Sequence, residues 1–215
     1  MNFKKLIVES GKKMSGSGLT VETWGNISFR DKETGLVYLT PSAMLYDTIV
    51  EDDVVVCTLD GTIVEGERKP TIETEMHLSV YRNREDVNAI IHTHPIYSMV
   101  YASQGKDIPL IIDEAAQILG GICRCADYAL PGSGELADNC VKALGEESNT
   151  CLLHSHGAVC VAGDMEGAFK IAKVLEVTAQ IHYMIEATGG KPAGISDENI
   201  KIMQDFAKNS YGQGK

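Results

Sequence analysis

An apolar run that ends in a pair of histidines constrains this chain more than any other segment. Ala89-Ile90-Ile91 leads into His92-Thr93-His94, and Pro95 stops the run. Side chains i and i+2 of a β-strand point to the same face, so this spacing delivers both imidazoles from one rigid strand end. A second apolar run, Cys151-Leu152-Leu153, leads into His154-Ser155-His156-Gly157. Upstream of the first pair, Glu73 and Glu75 open a short helical segment. Imidazoles from both strand ends plus a carboxylate form a donor set that suits zinc and leaves room for a substrate. The residues alone do not choose between His154 and His156, and one of them is left to a structural or supporting role.

The remaining pattern alternates short strands with helices. Residues 2–14 carry an apolar stripe of Phe3, Leu6, Ile7 and Met14, stopped by Gly16-Ser17-Gly18, and read as a helix. Strands are expected at 27–30 and 37–40, and a hairpin over 54–64 turns at Asp60-Gly61. A helix is expected from about residue 71, carrying Glu73, Met76, His77 and Val80. Strands near 89–94, 108–112, 121–125, 150–154 and 157–161 then alternate with helices near 95–103, 134–145 and 165–187. A last helix starts at the capping pattern Ser196-Asp197-Glu198-Asn199 and runs to about Lys208. Hairpins mixed with helices predict a three-layer α/β arrangement, a mostly antiparallel central sheet covered by helices on both faces, rather than a regular βαβ series. No Pro-, Ser- or charge-rich stretch divides residues 1–215, which read as one domain.

A net charge of −11 opposes nucleic-acid and anionic membrane partners, because both repel an acidic surface. No apolar run approaches a membrane span, and the N-terminus lacks the apolar core of a signal peptide. Cys57, Cys123, Cys151 and Cys160 sit in or beside apolar runs and read as reduced core thiols, which fits a cytoplasmic protein. Cys123-Arg124-Cys125 has one intervening residue and reads as strand. Two turns stand out: Gly25-Asn26 opening a strand, and Thr40-Pro41-Ser42-Ala43 closing the next. Each alone is an ordinary turn. Together with backbone N–H groups, their short polar side chains offer a nest for a phosphate.

Five motifs in order now carry a family resemblance. They are Gly25-Asn-Ile-Ser-Phe-Arg30, Thr40-Pro-Ser42, Lys69-Pro-x-x-Glu73-x-x-x-His77, His92-Thr-His-Pro95 and Leu152-Leu-x-x-His156-Gly157. The tail Ser196-Asp-Glu-x-Ile200…Tyr211-Gly212 is also similar. The chain resembles the class II aldolase/adducin family over nearly its whole length. That resemblance implies one zinc ion, or another divalent metal, on His92, His94 and His156, with Glu73 as both a resting ligand and the catalytic acid/base. It places Gly25, Asn26, Thr40, Ser42, Ala43, Thr71 and Ile72 around the substrate phosphate, and brings Tyr211 into the active site. It further implies a homotetramer with sites between subunits. The implied reaction is reversible cleavage of a ketose 1-phosphate, of the L-fuculose 1-phosphate kind, to dihydroxyacetone phosphate and an aldehyde through a zinc-stabilised enediolate.

Three positions depart from the family pattern. Ala43 replaces a glycine, Ile72 replaces a second hydroxyl residue beside Thr71, and Asp113 stands where a catalytic tyrosine is found. Asp113 is still able to act as a base, with a different pKa and reach. The alternatives are a ribulose-5-phosphate 4-epimerase, a methylthioribulose-1-phosphate dehydratase and a non-enzymatic adducin-like binding module. Gln117, at the epimerase's acid position, cannot shuttle a proton, and the intact histidine set opposes the binding module.

Overall fold

The run that ends in the histidine pair is the fifth strand of a sheet and lies at its centre. The computed structural model describes residues 1–210. Its strands are β1 (Asn26–Arg30), β2 (Val37–Leu39), β3 (Val55–Cys57), β4 (Ile63–Glu65), β5 (Ala89–Thr93), β6 (Arg124–Ala126), β7 (Thr150–Leu153) and β8 (Gly157–Ala162). They form one sheet in the order β4-β3-β2-β1-β5-β8-β7-β6. Every pairing is antiparallel except β6 with β7. The helices are α1 (Phe3–Ser15), α2 (Thr74–Asn83), α3 (Ile96–Ala102), α4 (Asp113–Ile118), α5 (Gly134–Leu144), α6 (Met165–Ala187) and α7 (Asp197–Asn209).

Two separate apolar cores show the three expected layers. Ile27, Ala89, Ile91, Leu152, Ala158 and Cys160 pack with residues of α1, α3, α4 and α6 on one face. Leu39, Ile90, Cys151, Leu153, Val159 and Val161 pack with α2 and α5 on the other. Strands covered on both faces read as continuous apolar runs, as β5, β7 and β8 do. The strand period of two then sends Ile90 and His92 together towards α2. Across the ladder, Asn26 lies opposite His92 and Ser28 opposite Ile90, so both face α2 as well.

Several helix starts match their capping residues. Asn2, Asp164 and Ser196 each accept a backbone N–H three residues on. The second helix begins later than the periodicity suggests, at Thr74. Residues 70–71 are drawn out of helical geometry because Pro70 bridges Pro41 and the Thr71 amide donates to the Thr40 carbonyl at 3.2 Å. The expected strand at 108–112 is reduced to one bridge between Ile108 and Cys123. Pro109 has no N–H with which to continue that ladder. The six-residue α4 that follows is too short to leave a periodic trace. All six cysteines are free thiols, five of them buried. Among the described residues, no helix is long and apolar enough to cross a membrane.

The placement of α2 depends on Arg30, the next residue after Ser28 on the same face of β1. Its guanidinium donates to the Tyr81, Arg84, Glu85 and Val87 carbonyls at 2.5–3.1 Å, gathering the C-terminal end of α2 and the loop beyond it. Replacing Arg30 with methionine removes the guanidinium donor from all four carbonyls, of which that of Arg84 keeps only the Val87 amide at 3.3 Å. The expected loss is about 3 kcal/mol or more of unfolding free energy, read from urea denaturation.

Candidate metal centre and its pocket

Three elements bring the histidines and the carboxylate together. β5 carries His92 and is followed directly by His94, α2 is preceded by Glu73, and the β7–β8 turn carries His156. That turn closes with the His156 amide donating to the Leu153 carbonyl at 3.0 Å, and Ser155 adopts a left-handed conformation, φ 56°. The following residue is glycine for a spatial reason. A Cβ at Gly157 would stand 2.5 Å from the Thr93 carbonyl oxygen and 2.8 Å from Cε1 of His92. Only a bare backbone lets the turn lie against the rings. The same turn sends His154 the other way, edge-on to Tyr128 at 6.1 Å between ring centres.

The resulting geometry converges on Nε2 atoms. His92, His94 and His156 each offer a nitrogen within 4.8 Å of the others. The His92 and His94 Nε2 atoms are 3.0 Å apart. Glu73 places Oε1 3.0 Å from His156 Nε2 and Oε2 3.2 Å from His92 Nε2. Oε2 also accepts from Asn26 Nδ2 at 2.8 Å, while Oε1 is buried without a hydrogen bond. His92 Nδ1 donates to the Ala158 carbonyl at 3.0 Å, which leaves its Nε2 as a lone pair facing the other donors.

Electrostatics favour the neutral form of His92 and His94 and the ionised form of the carboxyl. Burial, reinforced by the neighbouring rings His92 and His156, pushes His94 down to about 3. Burial also lowers His92. For Glu73, burial acts to raise the pKa, but His92, His156 and the Asn26 amide outweigh it and hold the carboxyl well below its usual range. Ring nitrogens of three histidines and a buried carboxylate oxygen without a hydrogen bond therefore gather around one point. That donor set fits a divalent cation such as zinc.

A cavity of about 390 Å³ opens over this cluster. Gly25, Asn26, Ser42, Ala43, Thr71, Ile72, Glu73, His94 and His156 all line it. His92, with no exposure, lies behind them. Gly25 holds φ 79°, and a Cβ there would sit 2.5 Å from the His92 carbonyl oxygen, so the turn before β1 requires glycine. Thr40 does not reach the cavity. It is fully buried, and its hydroxyl accepts from the Ile27 amide at 3.2 Å. The expected backbone nest is partly spent: the Ser42 and Thr71 amides donate to the Lys69 and Thr40 carbonyls. Their hydroxyls and one Nδ2 hydrogen of Asn26 are what remains for an anion. Ala43 sits in the left-handed region at φ 54°, a conformation that favours glycine.

Asp113 is exposed in the first turn of α4 and does not line this cavity within its own chain. Tyr211 lies outside the described residues. Pro41, from the Thr40–Ala43 turn, also lines it, as do Thr23, Trp24 and Pro131, which no sequence motif marks. The only tryptophan of the chain, directly before Gly25, is a signal that was there to be used. Pro131 arrives from a distant loop and carries no such mark.

A family model described as the class II aldolase and adducin N-terminal domain matches residues 5–183. A 5-deoxy-D-ribulose 1-phosphate aldolase of Bacillus thuringiensis serovar kurstaki is 40% identical, over 97% of this chain and 95% of its own. An L-fuculose phosphate aldolase of Methanococcus maripaludis is 36% identical, over 87% of this chain and 97% of its own. A solved L-fuculose 1-phosphate aldolase superposes with a TM-score of 0.92 at 36% identity, covering 96% of each chain.

The opposite orientations of His154 and His156 generate a direct expectation. His156→Ala should abolish divalent metal content measured by elemental analysis, while His154→Ala should retain it. The reverse pattern would remove His156 from the donor set.

Proposed function

The chain belongs to the class II aldolase and adducin family, and from that premise we propose that it reversibly cleaves a ketose 1-phosphate to dihydroxyacetone phosphate and an aldehyde. The observation that supports this most is the ionised Glu73 set against three convergent imidazoles at the floor of a polar cavity. Retro-aldol cleavage requires a base for the C4 hydroxyl, a means of holding negative charge next to the carbonyl, and an acid that returns a proton to carbon. His92, His94 and His156 would hold a divalent cation, most suitably zinc, which when bound would supply Lewis-acid stabilisation of that charge. Glu73 is the proton-transfer group. At rest its charge is held by His92, His156 and Asn26; once substrate separates it from the imidazoles, burial dominates and raises its affinity for a proton.

Asp113 or Tyr211 serves the hydroxyl end of the substrate in this proposal. Asp113 would reach the cavity from a neighbouring subunit, since it lies outside the cavity of its own chain. A homotetramer with shared sites is supported by Trp24 and Ile72, which line the cavity yet are 58% and 65% exposed. Large apolar groups left so open are ordinarily covered by a partner. A cytoplasmic location fits the reduced thiols and the absence of a spanning helix among the described residues. The apolar wall of Trp24 and Pro131 favours a substrate whose distal carbon carries no hydroxyl. Both the 5-deoxyribulose and the fuculose relatives are named for such sugars.

The deciding experiment is a panel of ketose 1-phosphates and pentulose 5-phosphates, scored for dihydroxyacetone phosphate. Release from 5-deoxyribulose or fuculose 1-phosphate in preference to ribulose 1-phosphate is expected; epimerised product without cleavage would overturn the proposal. Glu73→Gln should cut turnover about 10²–10⁴-fold while metal stays bound by the three histidines. The cradle has its own check. Ala43→Gly removes a methyl and relieves the left-handed backbone, and Ile72→Ser adds a donor. Each should lower KM for the sugar phosphate and leave the unphosphorylated ketose unaffected.

A further inference from the structure

Behind Glu73, on the side away from the cavity, a line of buried polar groups runs between β1 and α2. Asn26 Oδ1 lies 2.6 Å from His77 Nε2, and His77 Nδ1 lies 2.6 Å from Ser28 Oγ. Ser28 Oγ lies 2.7 Å from the Tyr81 hydroxyl, whose own far contact is the Asn88 carbonyl at 3.3 Å. His77 and Ser28 have no exposure, Tyr81 has 1% and Asn26 has 6%, so water does not complete any of these bonds. The two periodicities assemble the line: residues 26 and 28 share one face of β1, and 77 and 81 are one turn apart on α2.

The direction of every proton in this line follows from its first member. Asn26 presents Nδ2 to Glu73 Oε2 at 2.8 Å, which turns Oδ1 towards His77. That oxygen needs a donor, which places the imidazole proton on Nε2. Burial pushes the His77 pKa down to about 3, so the ring is neutral and Nδ1 is an acceptor. Ser28 then donates to Nδ1 and accepts from Tyr81. The opposite polarity would set the Asn26 oxygen against the Glu73 carboxylate. At the far end stands a backbone carbonyl, which has no proton to give, so the line orients groups rather than conducting protons to solvent.

We propose that His77 is a positioning residue for the reaction, a buried Nε2–H imidazole that locks the Asn26 amide as the donor aiming Glu73 at the imidazole cluster. Ser28 and Tyr81 fix the tautomer in turn. This rests on the reading of Glu73 as the proton-transfer group. The assignment of the tautomer does not, and it is testable without turnover.

The test has a spectroscopic and a kinetic arm. In the metal-free full-length protein with ¹⁵N-labelled histidine, NMR should show the His77 proton on Nε2 and none on Nδ1. His77→Phe keeps the volume and removes both polar atoms; kcat should fall about 10–100-fold, the usual cost of losing an outer support of a metal site. Metal content should be unchanged, and His77→Gln, whose amide reaches towards Asn26, should recover part of the loss. Ser28→Ala carries the same kinetic expectation in smaller measure if the phenylalanine variant does not fold. A proton found on Nδ1, or wild-type kcat in both variants, would overturn the proposal. A fully active Glu73→Gln would instead overturn the catalytic reading while leaving the tautomer assignment standing.

Discussion

Much of this structure answers to a single carboxylate held out of water. A buried, ionised group is costly unless its charge is met by directed donors or a cation. Glu73 is 3% exposed, and its neighbours come from four places in the chain: Asn26 on β1, His92 on β5, His94 just beyond it and His156 on the β7–β8 turn. Each is delivered from a strand or a strand end at the middle of the sheet, where packing on both faces leaves little freedom. Sites built on such elements hold geometry better than sites on loops.

The same dependence explains the division of labour around β1. Its face towards α2 carries three polar residues in a row at the strand period, Asn26, Ser28 and Arg30, each nearly or wholly buried. Buried polar groups in the centre of a sheet require partners. Here all three find them on or beside α2: Glu73, His77 and the carbonyls at its far end. A one-residue slip of β1 would turn all three into the opposite, apolar core. Register and chemistry are therefore specified together.

The parts legible in the sequence were those written in strand or helix periods and in turn residues. His92 and His94 declared themselves by i, i+2 spacing at the end of an apolar run, and α7 by its capping pattern at Ser196. The choice of His156 over His154 came only with the family resemblance, because it depends on a left-handed residue between them. Thr40 looked like a ligand for an anion but is consumed by the Ile27 amide, a contact between strands that spacing does not encode. Pro131 and Asp113 were beyond local reading in opposite senses: one enters the cavity from far along the chain, the other stays outside it. The apolar run at 108–112 looks like a strand, but Pro109 has no N–H with which to extend the ladder beyond Ile108.

Glu73 also occupies the N-cap position of α2, where its side chain makes no bond to the helix. Serine, aspartate or asparagine at an N-cap typically stabilises a helix by about 1 kcal/mol relative to a residue that does not cap. The chain leaves that gain unclaimed because the carboxylate faces the histidines instead. Selection for thermal tolerance alone would therefore push this position towards a shorter, capping side chain and away from the reach needed to touch His156. Stabilisation campaigns on this scaffold should hold residue 73 fixed, since the sturdier helix would come with an empty place in the active site.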